Sequence, residues 1–75
     1  LYRLDVRDPA EYAQGHLKGF RHAAGGQLVQ ATDQYVGARN ATIVLHDNDG
    51  VRATMTAHWL LQMGWTETFV LDHKP

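Results

Sequence analysis

Residues 41–45, Ala-Thr-Ile-Val-Leu, form a continuous apolar and β-branched run that ends at His46 and is followed at once by Asp47-Asn48-Asp49-Gly50. A strand of this composition has no polar side to turn toward water. It must be buried on both faces, as an inner strand of a parallel sheet covered by helices is. The flanking segments supply those helices. Val51, Met55, Trp59 and Met63 recur every four residues with Ala57, Leu60 and Leu61 beside them, so the spacing predicts a buried helix over 51–63, closed by Gly64. Asp8-Pro9-Ala10-Glu11 reads as a helix start, with Asp8 as N-cap, Pro9 in the first turn and Glu11 completing a capping box; Gly15 stops that helix. Leu28, Val29, Thr32, Tyr35 and Val36 predict a further helix over 27–35, ending near Gly37. Leu1–Val6 and Thr68–Leu71 read as short strands, residues 16–20 as a loop, and the Gly25-Gly26 pair as the one loose stretch. Strands alternating with helices imply an α/β fold with a mostly parallel central sheet and right-handed crossovers.

Seventy-five residues make one domain, 1–75, and this domain has no cysteine to staple it. Serine is absent too, so Ser and Cys nucleophiles are excluded and covalent chemistry would fall to Asp, Glu, Thr, Tyr, Lys or His. Seven Lys plus Arg against eight Asp plus Glu, with no basic run, exclude the footprint of a nucleic-acid or anionic-membrane binder. No apolar stretch is long enough to span a bilayer. A cysteine-free chain suits cytoplasm and periplasm alike, and the cytoplasm is the expected compartment. In open α/β sheets ligands collect beyond the carboxyl ends of the strands, which singles out the turn from His46 to Arg52.

Leu4-Asp5-Val6-Arg7, Glu11-Tyr12, Gly15-His16-Leu17 and Gly19 stand in the order of the opening signature of rhodanese-like domains, which this chain closely resembles. The second half agrees: an apolar strand, a six-residue loop 47–52 ending in Arg52, a helix carrying Trp59-Leu60 and Met63-Gly64-Trp65, and a strand Val70-Leu71-Asp72. The resemblance implies a three-layer sandwich, here truncated at both ends because the family's usual preceding strand and helix and its tryptophan-bearing tail are not matched. It also implies a module of a larger multi-domain protein, whose expected contacts are neighbouring rhodanese-like domains of the same polypeptide or a protein partner. Catalytic members of the family carry a sulfane sulfur as a persulfide on a cysteine that opens the loop. The loop N–H groups and the closing arginine stabilise that anion. Here the cysteine position is Asp47, while Gly50 and Arg52 keep their places, so the resemblance implies a sulfurtransferase-family domain that is itself inactive, with a structural, regulatory or acceptor-binding role. No catalytic residue, cofactor or metal is expected.

The anion loop is therefore Asp47, Asn48, Asp49, Gly50, Val51 and Arg52, with the Asp47 carboxylate expected to accept the loop N–H groups and face Arg52. Asp5, Arg7, Glu11, Gly15 and His16 form the structural motif; Asp5 and Arg7 are expected to buttress a turn and His16 to bond locally. A rival reading takes Asp47 and Asp49 as the nucleophile and acid/base of a Mg²⁺-dependent phosphatase, with Thr66, Thr68, Asp72 and Lys74 as the downstream residues. A calcium loop fails at once, because Leu45 and Thr56 would fall on its first and twelfth positions. Of the five histidines only His46 clusters with acidic residues, Asp47 and Asp49; His22 and His73 fall in loops, and His58 is expected in the core or at an interface. Trp59 is expected in the core and Trp65 at its rim.

Overall fold

The structure, a computed structural model, describes residues 1–37 and 40–71. Its first strand, β1 (Tyr2–Asp5), runs into α1 (Pro9–Gln14), which opens as the sequence signals: Asp8 accepts from the Glu11 N–H while Glu11 accepts from the Asp8 N–H. A two-residue strand β2 (Arg21–His22) follows, then α2 (Gly25–Gln30), α3 (Thr32–Tyr35), the apolar strand β3 (Ile43–His46), α4 (Val51–Gln62) and β4 (Thr68–Val70).

All pairings are parallel, in the order β2-β1-β3-β4, with Leu4 opposite Leu45 and Leu45 opposite Val70. The chain therefore leaves β1 toward one edge to make β2, then crosses back over it to make β3. Right-handed crossovers in those two directions lie on opposite faces of the sheet, giving helices on both sides and a topological switch point between β1 and β3. The core consists of Leu4, Val6, Leu28, Val36, Ile43, Leu45 and Leu60, closed by Ala23, Ala53, Ala57 and Trp65. Among the described residues no helix is long and apolar enough to cross a membrane.

The structure corrects several expectations. The helix over 27–35 is two short helices that begin at Gly25, broken at Ala31 (φ −139°, ψ 47°), where the Thr32 hydroxyl donates back to the Leu28 carbonyl at 2.7 Å. Gly25 is no loose residue: a β-carbon there would stand 2.7 Å from Thr56 Oγ1, so its absence lets α2 close on α4. His22 lies on a strand and His46 ends β3, buried, whereas each was expected in a loop or turn.

A further correction concerns α4. It buries Ala53, Thr56, Ala57 and Leu60 and leaves Val51, Met55, Trp59 and Met63 facing solvent. The small side chains of Ala53 and Ala57 allow close approach to the sheet, and a stripe bearing Met55 and Trp59 would hold the helix off. Trp65 takes the core position at 5% exposure while Trp59 stands at 52%, the reverse of their expected roles. Of the two places expected for His58, the core is excluded, since the residue is exposed on α4. Asp72, His73 and Lys74, and with them the end of the expected Val70-Leu71-Asp72 segment, lie outside the described residues.

Candidate functional site

The loop 47–52 stands at the carboxyl end of β3, beside the end of β1, at the switch point. Gly50 makes the turn possible: it caps α4 in the left-handed region (φ 81°), which a side chain would strain. The Asp47 carboxylate sits inside the turn, 1% exposed. Oδ1 accepts the Asn48 N–H at 2.7 Å, and Oδ2 accepts the N–H groups of Arg52 at 2.7 Å and Ala53 at 3.3 Å. The Arg52 guanidinium closes the ring, with Nε at 3.1 Å and Nη2 at 2.9 Å from Oδ1. Burial alone would push the Asp47 pKa up. The Arg52 side chain and the Asn48 and Arg52 N–H groups outweigh it and hold the carboxyl below its ordinary value of 3.8.

Arg52 is shared. Its Nη1 and Nη2 donate to the two Glu11 oxygens at 2.6 and 3.0 Å, which keeps the guanidinium charged and lowers Glu11 to about 2, with the Asp8 N–H adding to the effect. Asn48 is the second bridge. Its Nδ2 donates to Glu11 Oε2 at 3.1 Å and its Oδ1 accepts from Arg7 Nη1 at 3.1 Å. Arg7 also donates to the Gly15 carbonyl at 2.7 Å and, from its backbone N, Nε and Nη2, to Asp5 at 2.8–3.1 Å. Burial raises the Asp5 pKa, but these Arg7 contacts prevail and lower it, and Asp5 in turn raises Arg7. The ends of β1 and β3 and the helix α1 are thus tied into one charged network.

Residues 3–73 match the rhodanese-like domain. The chain belongs to the rhodanese-like family. It is 30% identical over 71 residues to the thiosulfate sulfurtransferase GlpE of Pseudomonas paraeruginosa (strain DSM 24068 / PA7), covering 92% of this chain and 61% of that protein. The crystal structure of a thiosulfate sulfurtransferase from Pseudomonas aeruginosa superposes with a TM-score of 0.93 at 57% identity, over 99% of this chain and 14% of that one. The rhodanese-like domain described here therefore spans less than two thirds of the curated relative and about a seventh of the solved one.

In this rhodanese-like domain Asp49 does not join Asp47. It is exposed, and its Oδ1 accepts the Val51 N–H at 3.0 Å, capping α4. Both Asp47 oxygens are engaged and a guanidinium lies against one of them, so the two carboxylates present no shared seat for Mg²⁺, and the phosphatase reading has no site. Thr68, one of its downstream residues, is buried and donates to the Trp65 carbonyl. Among the described residues no three His, Cys, Asp or Glu side chains cluster as metal ligands. His46 packs edge-on against Phe20, ring centroids 5.8 Å apart. His16 stacks on Tyr12 at 3.7 Å with Nδ1 3.0 Å from the Tyr12 carbonyl oxygen, and His22 Nε2 lies 2.7 Å from the Arg7 carbonyl oxygen. The bridges made by Glu11 and Asn48 have no signal in local sequence, since the partners lie 37 and 41 residues apart.

Proposed function

We propose that this domain is a catalytically silent module of a sulfurtransferase-related protein, with Asp47 standing where active relatives carry their cysteine. One observation carries the reading: a buried carboxylate already occupies the ring of N–H groups and guanidinium in which a persulfide anion would sit. Taking the outer sulfur of thiosulfate requires a thiolate that forms a new S–S bond while sulfite leaves with the electron pair of the old one. The chain has no thiol, and the Asp47 charge repels an anionic donor. The names of both relatives point to thiosulfate as the donor of the larger protein. The fraction of the solved relative that this chain spans supports a role beside a neighbouring domain that bears the cysteine, as scaffold, regulator or acceptor-binding surface.

The test is thiocyanate formation from thiosulfate and cyanide by the purified 75-residue domain. No product above a protein-free control is expected. Turnover that disappears in Asp47→Ala would overturn the proposal.

A further inference from the structure

The exposed side of α4 carries a stripe of large apolar side chains beside the polar Thr54, His58 and Gln62. Val51, Met55, Trp59 and Met63 lie on one stripe at 41–61% exposure. From Ala53 to Thr66 the chain has no Asp, Glu, Lys or Arg, and the one charged residue of the helix, Arg52, is engaged by Asp47 and Glu11. A contiguous exposed apolar stripe rimmed by polar residues marks a surface that meets another apolar surface. The stripe also borders a groove of about 390 Å³ between α2 and α4, where Val6, Val29, Met55 and Trp59 supply the apolar walls.

We infer that this stripe and groove are the docking face for another folded domain of the same polypeptide, which seats an apolar side chain in the groove and covers Trp59. The proposal rests on the reading of the chain as a module of a larger sulfurtransferase-related protein. The occupant is argued from the solved relative: at 57% identity across 99% of this chain, the same module makes up only 14% of that polypeptide. A neighbour tethered in cis acts at an effective concentration in the millimolar range, so a face of this modest size needs no affinity for a free partner.

The experiment compares the protein as encoded with the 75-residue domain alone, using Trp65→Phe so that Trp59 is the reporter in this domain, and acrylamide as quencher. The Trp59 quenching constant is expected to be several-fold lower in the encoded protein and to rise again in Met55→Lys. Peroxide oxidation of Met55, followed by peptide mass, reads the same face without any substitution and is expected to slow in parallel. Equal quenching and oxidation in the two forms, or an encoded protein no longer than this domain, overturn the inference. So does self-association of the isolated domain that Trp59→Lys abolishes, because the occupant is then a second copy, and so does full shielding in a form extended only by this domain's own flanking strand, helix and tail, because the occupant is then not another domain. None of these readouts depends on sulfur transfer, so a positive thiocyanate assay would remove the proposed silence and leave this inference standing or falling on Trp59.

Discussion

Two aspartate–arginine pairs stand at the same end of the sheet, Asp5–Arg7 after β1 and Asp47–Arg52 after β3, and they are built for different ends. In the first, both partners are inside the protein: the Asp5 side chain is 0% exposed and that of Arg7 9%. Arg7 spends its remaining donors on Asn48 and the Gly15 carbonyl. In the second, the carboxylate is as deeply buried, but the guanidinium is 43% exposed and shared with Glu11. Asp47 also accepts the backbone N–H groups of Asn48, Arg52 and Ala53, which would persist without the Arg52 side chain. The first pair is a closed strut, and the second is an anion in a cradle with a cation at the door.

The largest effect follows from breaking the strut. Arg7→Ala strands a buried carboxylate, and the expected loss is about 3–5 kcal/mol in urea unfolding, a large share of what a chain this small has. Arg52→Ala removes a cation half in water and should cost about 1 kcal/mol or less. Equal losses would erase the distinction between the pairs.

Asp47→Asn comes next, at about 1–3 kcal/mol near neutral pH, because the N–H groups lose an ionised acceptor. The sign with pH follows from the lowered folded-state pKa. The stability that Asp47 contributes is present above the unfolded value of about 4 and is lost as pH falls through the folded one. Unfolding followed from pH 7 downward should therefore show a smaller acid-side loss in Asp47→Asn, with the share due to Asp5 intact. An unchanged acid-side loss would place the Asp47 charge outside the cradle.

Glu11→Gln should have the smallest effect. The wild-type carboxyl is lowered from 4.5 to about 2, so its contribution is present above 4.5 and fades as pH falls toward 2. This pair is open to water, so the difference in melting temperature between wild type and Glu11→Gln should shrink at molar salt. A difference indifferent to salt would mean that Glu11 acts through the Asp8 cap and not through Arg52.

The elements with strong local signals were legible in the sequence. The run 41–45 announced β3, and Asp8, Pro9 and Glu11 announced α1. β2 was not, because two residues carry no pattern and Arg21–His22 becomes a strand only by pairing with Leu4 and Asp5. The break at Ala31 has no Gly or Pro to mark it. The face α4 would bury was ambiguous for a physical reason: the helix is apolar on both sides, and periodicity does not say that small residues win the closest contact. At the site, Asp47 and Arg52 fall within one loop and could be paired by reading along the chain. Glu11 was legible only as a cap, since its bond to Arg52 exists once the fold has brought α1 and α4 together.

If Asp47 fills a cradle otherwise fit for a sulfur anion, Asp47→Cys should turn that cradle into a sulfur-loading site. The loop N–H groups, the N-terminus of α4 and Arg52 all favour a thiolate, so the new thiol should titrate below the ordinary value of about 8.5. Exposure to thiosulfate should then add one sulfur atom to the intact mass, and cyanide should remove it. An ordered loop with an ordinary thiol pKa and no sulfur uptake would mean that the ring around Asp47 does not hold a sulfur anion.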